Sequence, residues 1–310
     1  MRAAVVSDGE LRVEERPDPA AGAGQALVRI RAAGINAADL VQRAGHYPAP
    51  AGAPADIPGL ELAGEVVATG PGVARFREGD RVMALVGGGG QAELAAVHVA
   101  LLMPVPGGVD WAGAGGFVEA FATAHDAVFT QAGLALGERL LVQGAAGGVG
   151  VAAVQLGRTA GATVVGTVRS EESRPKVEAL GAEAVPPGDE EGPFDVILEL
   201  VGGDNLTRDV ELLAPGGRLV VIGVGAGARA ELDFRTLMGR RARVSASTLR
   251  SRPLEEKALV VRRLERHVLP LLAEGRVRVP VEQAFPLAEA GAAYARFAAG
   301  GKFGKIVLEM

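Results

Sequence analysis

The spacing of hydrophobic and polar positions changes along the chain and predicts two kinds of structure. In the first third, Ala26–Arg31 alternates between apolar and polar residues, and Leu62–Ala68 is a short apolar run closed by a glycine-rich turn. Gly79-Asp80 is a turn before a further strand at Arg81–Val86. Short strands between loops rich in glycine and proline are typical of a compact β-rich domain.

The middle of the chain has a different pattern, in which buried strands alternate with helices. Four apolar runs predict strands at Arg139–Gln143, Thr163–Val168, Asp195–Leu200 and Arg218–Ile222. Between these strands, one helical stretch ends near Ala160, and two others extend over Glu171–Leu180 and Leu206–Leu213. This alternation predicts an α/β domain with a doubly wound parallel sheet.

The last part of the chain combines a late strand with a long helix. We expect a strand at Ala242–Leu249, a helix at Leu254–Leu272 and a final strand at Lys305–Leu308. Basic residues accumulate around the helix, at Arg250, Arg252, Lys257, Arg262, Arg263 and Arg266. We interpret them as a solvated helix face.

Composition and charge exclude several classes of protein. The 310 residues carry a net charge of −5, so no basic field is available for a polyanion, and nucleic acid binding is not expected. The absence of cysteine excludes disulfides, thiolate metal ligands and cysteine nucleophiles. No apolar run approaches about 18 residues, and acidic residues interrupt the start before a signal peptide could form. We therefore expect a cytoplasmic protein that does not enter a membrane.

A glycine-rich segment lies between the first buried strand and the following helix. It reads Gly144-Ala145-Ala146-Gly147-Gly148-Val149-Gly150. This context is the one that a dinucleotide-binding turn requires, although the strict pattern would have glycine at position 145. Gly147 and Gly148 let the backbone approach a diphosphate, and Gly150 lets the helix pack on the strand. We expect residues 146–150 to bind the cofactor; a turn without a ligand is the alternative.

The residues after the second buried strand bear on the choice of cofactor. An NAD site places Asp or Glu there to bind the ribose 2′-hydroxyl. This chain has Arg169 and Ser170, which suit a 2′-phosphate, and Arg174 follows one helical turn later. We therefore favour NADPH. The alternative is that Arg169 is only a surface residue and Glu171 binds the ribose.

Several further motifs occur in one order along the chain. They are Gly34-Ile35-Asn36-Ala37-Ala38-Asp39, Gly45-His46-Tyr47-Pro48, Pro58-Gly59-Leu60-Glu61-Leu62-Ala63-Gly64, Gly79-Asp80-Arg81-Val82, the glycine-rich segment and Gly304-Lys305-Ile306-Val307-Leu308. In this order they resemble the quinone oxidoreductases, the zeta-crystallin-like branch of the medium-chain dehydrogenases/reductases. The resemblance extends over nearly the whole chain.

This resemblance implies a GroES-like β-rich catalytic domain and a Rossmann domain. Residues 1–120 would begin the catalytic domain, residues 121–249 would form the NADP-binding Rossmann domain, and residues 250–310 would complete the catalytic domain. Nicotinamide and substrate would lie in the cleft between the domains. The resemblance also implies a homodimer joined through the last Rossmann strand, Ala242–Leu249.

Zinc is not expected. Zinc-dependent members of the superfamily carry Cys, His and Cys at positions that align with Asn36, Leu60 and Glu119. Leucine cannot ligate a metal, and one amide with one carboxylate does not make a zinc site. Glu61 and Glu119 form a candidate carboxylate pair, whereas we interpret Asp39 as a residue that stabilises the start of a helix.

The resemblance also implies the residues of the site and the reaction. Asn36 and Tyr47 would line the substrate pocket, Thr123 would lie near the nicotinamide, and Gly223 and Val224 would pass by the cofactor. Two departures weaken the preference for NADPH: relatives often carry Lys at the position of Ser173, and a Tyr that they place near Pro186 is missing.

The implied activity is NADPH-dependent hydride transfer to a quinone or enone substrate without a metal. A 2-enoyl-thioester reductase of the same fold is one alternative. A protein that binds NADPH as a redox sensor without turnover is another.

Overall fold

The computed structural model describes all 310 residues, which divide into two compact units. The first, here called the β-rich domain, comprises residues 1–122, 249–300 and 305–310. The second, the Rossmann domain, comprises residues 123–248 and 301–304. Both ends of the chain therefore contribute to the β-rich domain.

Strands and helices are numbered along the chain. The strands are β1 (Arg2–Ser7), β2 (Glu10–Glu15), β3 (Gln25–Gly34), β4 (Glu61–Thr69), β5 (Arg81–Leu85), β6 (Leu94–His98), β7 (Leu102–Pro104), β8 (Arg139–Gln143), β9 (Thr163–Thr167), β10 (Glu183–Val185), β11 (Phe194–Glu199), β12 (Leu213–Val221), β13 (Arg243–Ala246), β14 (Val281–Pro286) and β15 (Lys305–Glu309). The helices are α1 (Ala37–Arg43), α2 (Trp111–Gly115), α3 (Val118–His125), α4 (Gly148–Thr159), α5 (Arg174–Glu178), α6 (Asn205–Leu212), α7 (Phe234–Arg240), α8 (Leu254–His267), α9 (Leu269–Ala273) and α10 (Ala290–Ala298).

A seven-stranded sheet is the centre of the β-rich domain. Its order is β14-β15-β3-β4-β5-β7, and β6 pairs with the first half of β3. The register of β15 against β3 places Val307 opposite Gly34. Because these strands are antiparallel, Lys305 comes beside Asn36, two residues beyond that pair. The sheet thus brings the last predicted motif of the chain next to the first.

The core of the β-rich domain lies between this sheet and α10. Tyr294 and Ala293 of α10 pack with Ile306 and Leu308 of β15, and all four are buried. The β1–β2 hairpin contributes Ala4 to the same cluster. Apolar side chains on one face of α10 therefore secure the strand that carries Lys305.

The Rossmann domain contains a six-stranded parallel sheet, as the alternation of strands and helices predicted. Its order is β10-β9-β8-β11-β12-β13, the doubly wound arrangement of dinucleotide-binding folds. Leu141, Val165, Ile197 and Leu219, one from each central strand, form its buried core. The glycine-rich segment leaves β8, and cofactors of such folds bind at this edge of the sheet.

Some predicted elements are shorter in the structure. The helix expected over Leu254–Leu272 is divided into α8 and α9, because Pro270 lacks the N–H that a continuous helix needs. The strand expected over Ala242–Leu249 is shorter and comprises only the four residues of β13. The helix expected over Glu171–Leu180 begins with a 3₁₀ turn, which α5 follows. No helix is both long and apolar enough to cross a membrane.

Candidate functional site

The glycine-rich turn joins the end of β8 to the start of α4. Gly144 has a φ of 78°, which side chains of L-residues rarely tolerate. A Cβ at position 150 would lie 2.5 Å from the carbonyl oxygen of Gly144 and 2.7 Å from the Cα of Ala145. The turn can therefore close against α4 only because position 150 is glycine.

Ala145 shows why the fingerprint tolerates a departure here. Its side chain is completely buried, and a Cβ at position 166 would lie 2.6 Å from the Cβ of Ala145. The methyl group thus points into the domain, towards Gly166 of β9. It does not occupy the outer side of the turn.

The outer side of the turn fits the diphosphate of a dinucleotide. Residues 146–149 are half-buried, and Gly147, the N-cap of α4, has no side chain to bind the first N–H groups of the helix. A Cβ on Gly147 would meet only the Gly144 carbonyl oxygen, at 3.6 Å, so there is space at this position. The N–H groups and dipole of this twelve-residue helix favour an anion.

The predicted 2′-phosphate residues lie at the end of β9. Arg169 is exposed and Ser170 is half-buried. Nε of Arg174 lies 3.4 Å from the carbonyl oxygen of Val168, so its guanidinium folds back towards the strand end. Glu171, the alternative ribose ligand, is exposed as well. The segment after β9 therefore carries two guanidinium groups beside two exposed carboxylates, Glu171 and Glu172.

Gly223 and Val224 follow β12 at the same edge, because the carboxyl ends of parallel strands lie together. The Gly223 N–H donates to the carbonyl oxygen of Glu199 at 3.2 Å. A Cβ at Gly223 would lie 2.3 Å from the carbonyl oxygen of Leu200, so this position needs glycine. Val224 is exposed, whereas Thr123 is buried in α3.

Asn36, in the β-rich domain, begins α1 and is bound on both sides of its amide. Its Nδ2 donates to Oε1 of Glu61 at 3.0 Å and lies 3.5 Å from the carbonyl oxygen of Gly34. Its Oδ1 accepts from Nζ of Lys305 at 2.7 Å. The same ammonium donates to Oε1 of Glu61 at 2.6 Å. A buried ion pair therefore holds the amide and directs its nitrogen into the protein.

The ion pair binds Glu61, one member of the candidate carboxylate pair with Glu119. The second oxygen of Glu61 accepts the backbone N–H of Glu119 at 2.9 Å, and its first oxygen is bound by Lys305 and Asn36. The sequence contained a signal for Lys305, a lysine at the start of an otherwise apolar final strand. Its partner was not evident, since 244 residues separate the two.

Asp39 is a buried residue in the first turn of α1, in agreement with the helix-start interpretation. Its Oδ2 accepts the Asn36 N–H at 2.8 Å, which completes a capping box, and its Oδ1 accepts the Gly59 N–H at 3.1 Å. Burial raises the pKa of Asp39 to about 6, although both backbone hydrogen bonds lower it. Asp39 thus ties α1 to the segment before β4.

Arg250 holds the loop that carries Tyr47. Its guanidinium lies 4.9 Å from the centre of the Tyr47 ring and donates to the carbonyl oxygens of Tyr47 and Gly87, at 2.8 Å each. It also donates to Oε1 of Gln42 at 2.6 Å. Arg250 and Lys257 are both buried, so the interpretation of a solvated basic face is wrong for them. It holds for Arg262, Arg263 and Arg266, which are exposed.

Comparison with known proteins defines the class. The family described as alcohol dehydrogenase GroES-like domain matches residues 22–132, and the family described as zinc-binding dehydrogenase matches residues 183–308. A crystal structure of an alcohol dehydrogenase superfamily protein from Novosphingobium aromaticivorans is similar, with a TM-score of 0.89 and 29% identity. The similarity covers 100% of this chain and 99% of that one. The fold is that of the medium-chain dehydrogenases/reductases.

Sequence relatives narrow this class. The quinone oxidoreductase of Mus musculus is 31% identical over 300 residues, which are 92% of this chain and 88% of that protein. The chain belongs to the quinone oxidoreductase family, as its motifs predicted, and is an oxidoreductase that uses a nicotinamide cofactor. A segment of a phenolphthiocerol/phthiocerol polyketide synthase from Mycobacterium tuberculosis is 33% identical over 301 residues, 92% of this chain and 14% of that protein.

Proposed function

We propose that the protein transfers a hydride from NADPH to a quinone or another conjugated carbonyl and needs no metal. The observation that carries this proposal is the set of side chains at the positions of the family's zinc ligands. Leu60 is a buried hydrocarbon, and the amide of Asn36 is bound by Glu61 and Lys305. These positions therefore do not supply the three protein ligands that a catalytic zinc needs.

The lack of a Lewis acid restricts the substrate. An unactivated ketone needs stabilisation of its developing alkoxide, which zinc supplies in related enzymes. A quinone that accepts a hydride becomes an aromatic hydroquinone monoanion, and an enone becomes an enolate. Such substrates carry their own electron sink, so the main task of the protein is to orient the acceptor against the nicotinamide.

The residues of this chain have distinct parts in that task. NADPH, when bound, supplies the hydride. The Tyr47 hydroxyl is the candidate donor to the developing oxyanion, and Arg250 holds its loop. We assign Asn36 a role in shaping the pocket, because its Nδ2 is directed towards Glu61.

The preference for NADPH is supported by the end of β9. Arg169, Ser170 and Arg174 provide two guanidinium groups and a hydroxyl within one short segment, and Arg169 is accessible. A planar guanidinium binds phosphate oxygens in pairs, whereas a ribose diol favours a carboxylate. The glycine-rich turn would hold the diphosphate of the same molecule.

We also propose that the protein is a homodimer that pairs through β13. This strand is the edge of the Rossmann sheet, and all four of its residues are exposed. Val244 on β13 is 39% exposed, and Phe234 and Met238 on α7 are 71% and 76% exposed. An open strand edge with exposed side chains favours pairing with a second copy of the same strand, and the exposed apolar residues of α7 precede this strand in the chain.

Reduction of a 2-enoyl thioester is the second candidate. The similarity to a segment of a polyketide synthase favours it, because a growing polyketide chain is an acyl thioester. A thioester enolate is also an adequate electron sink without a metal. A protein that binds NADPH without turnover is the remaining alternative.

The deciding experiment measures NADPH consumption with a quinone, an enone, an enoyl thioester and a simple ketone, each with and without a chelator. We expect turnover of a conjugated acceptor that persists after chelation, and none with the ketone. Binding of NADPH without consumption by any acceptor would favour the sensor. Stoichiometric zinc whose removal abolishes turnover would overturn both the mechanism and the substrate class.

A further inference from the structure

A chain of buried polar side chains starts at the glycine-rich turn and leads into the Rossmann domain. The Gly144 N–H donates to Oγ1 of Thr167 at 3.0 Å, and the Thr167 hydroxyl donates to Oε1 of Gln143 at 2.7 Å. Nε2 of Gln143 donates to Oδ1 of Asp209 at 2.8 Å. All three side chains are buried, so water cannot readily replace a hydrogen bond that is lost between them.

Asp209 determines the direction of this chain. Its carboxyl group accepts a hydrogen bond from Gln143, so the amide of Gln143 turns its oxygen towards Thr167. The hydroxyl of Thr167 has a single proton and gives it to Gln143, which leaves its lone pairs to the Gly144 N–H. A carboxyl group on α6 thus orients the first N–H of the turn through two side chains.

The second oxygen of Asp209, Oδ2, is buried and receives no hydrogen bond from a protein donor, and the same is true of Oε2 of Glu199, at the end of β11. The proximity of Glu199 raises the pKa of Asp209. Two buried ionised carboxylates repel each other, which favours a pair that holds one proton.

The contacts of the two groups locate this proton. Oε1 of Glu199 accepts the N–H groups of Val201 and Gly202. Burial and the proximity of Glu199 raise the pKa of Asp209 to about 9. Asp209 is therefore the protonated partner at neutral pH.

Two further charged groups belong to this cluster. Oε1 of Glu190, from the loop before β11, lies 3.4 Å from Nε2 of Gln143, and its charge also raises the pKa of Asp209. Arg208 of α6 offsets that charge, with its Nε 3.0 Å from Oε1 of Glu190. Loss of the shared proton would therefore add negative charge to a cluster in which three carboxyl groups lie beside one guanidinium group.

We propose that Thr167, Gln143 and Asp209 are positioning residues for the cofactor turn, and that the proton shared by Asp209 and Glu199 is required for tight NADPH binding. This inference rests on the proposed function, in that the turn at Gly144 binds the diphosphate of NADPH. Loss of the proton places a negative charge behind a turn that must bind phosphates. An ionised Asp209 would also be repelled by Glu199, which would disturb the hydrogen bonds from Asp209 to Gly144.

The test is the dissociation constant of NADPH, measured by its fluorescence between pH 6 and pH 10. The native protein should bind about tenfold more weakly at pH 10 than at pH 7, because one buried charge is gained. Asp209→Asn keeps an acceptor for Gln143 and a donor for Glu199 but cannot ionise, so its dissociation constant should vary by less than about threefold. Glu199→Gln leaves one carboxyl group in place of two, and its amide can donate to an ionised Asp209, so its dissociation constant should also vary by less than about threefold.

Thr167→Val tests the chain independently of the proton. It removes the acceptor of the Gly144 N–H and should weaken NADPH binding about tenfold at every pH. Thr159→Val is the matched control, because the Thr159 hydroxyl bonds only to the Gln155 carbonyl oxygen within α4. It should bind NADPH like the native protein.

The outcomes separate this inference from the proposed function. If the NADPH affinities of the native protein and of Asp209→Asn fall equally as the pH rises, the shared proton has no role in binding. If Thr167→Val binds like Thr159→Val, the positioning chain is refuted. Absence of NADPH binding to the native protein at every pH would refute the proposed function. The melting temperature of the cofactor-free protein, relative to Asp209→Asn, should still fall between pH 7 and pH 10 in that case.

Discussion

The ammonium of Lys305 lies 2.6 Å from Oε1 of Glu61, and the two side chains are 4% and 0% exposed. The pairing of β15 with β3 creates this contact, and the ion pair in turn binds the amide of Asn36. A buried ion pair adds little net stability compared with apolar residues, but removal of one partner leaves an uncompensated buried charge.

We therefore expect Lys305→Met to lower the free energy of unfolding by about 3–5 kcal/mol. Removing both charges, in Lys305→Met with Glu61→Met, should cost less than the sum of the single changes, because no buried charge is left alone. Urea unfolding at pH 7 measures these differences.

Lys176→Met is the control for this prediction, since it removes an exposed ion pair with Glu172 one helical turn away. Its effect should stay below about 0.5 kcal/mol. A Lys305→Met protein as stable as Lys176→Met would show that the buried pair does not hold the domain together.

Arg169→Ala should reduce the discrimination between cofactors. The native protein is expected to bind NADPH at least tenfold more tightly than NADH, about 1.4 kcal/mol, because the exposed guanidinium at the end of β9 pairs with the 2′-phosphate. Fluorescence titration of both cofactors measures the ratio. Arg77→Ala, a change at an exposed arginine of the β-rich domain, should leave it unchanged. Equal affinities in the native protein would contradict the assignment.

Phe234→Asp together with Met238→Asp should convert the proposed homodimer into monomers. Both side chains are exposed apolar groups on α7, the helix that precedes β13 in the chain, and a carboxylate would resist burial in an interface. Light scattering at micromolar concentration should change from twice 31.6 kDa to 31.6 kDa. Leu136→Asp changes the most exposed large apolar side chain, at 84%, and should leave the dimer intact. A native mass near that of one chain would remove the basis for this prediction.

The pKa of Asp39 predicts how stability depends on pH. Its folded-state pKa is about 6, above the value of 3.8 expected in the unfolded chain. Between these values the folded state binds more protons than the unfolded state, so stability falls as the pH rises through this window. The native protein should lose about 2 kcal/mol between pH 4 and pH 7 relative to Asp39→Asn.

Asp233 provides the opposite case. The N–H of Arg235 and the hydroxyl of Thr236 lower the pKa of Asp233, so its stabilising effect is present at neutral pH and is lost on acidification. Relative to Asp233→Asn, the native protein should therefore gain stability as the pH rises. If the native protein instead gained stability relative to Asp39→Asn as the pH rises, burial would not be the dominant effect on the pKa of Asp39.

Local sequence determined most of the Rossmann domain. Strands such as β8 and β9 are recognisable because runs of apolar residues alternate with helical stretches, and the turn between β8 and α4 is recognisable because glycine alone permits its backbone. The strand at β13 was predicted too long, because apolar composition does not reveal where a parallel neighbour ends.

By itself, then, the sequence determined the order of elements, the glycine-rich turn and the family, since each depends on residues close together along the chain. Only the tertiary structure decided that Lys305 pairs with Glu61, that Arg250 is buried against Tyr47, and that Asp209 meets Glu199. The physical reason is that these contacts join distant segments, or segments on different elements, through side chains. Their charge and burial depend on the register and packing of the whole domain, which no local pattern contains.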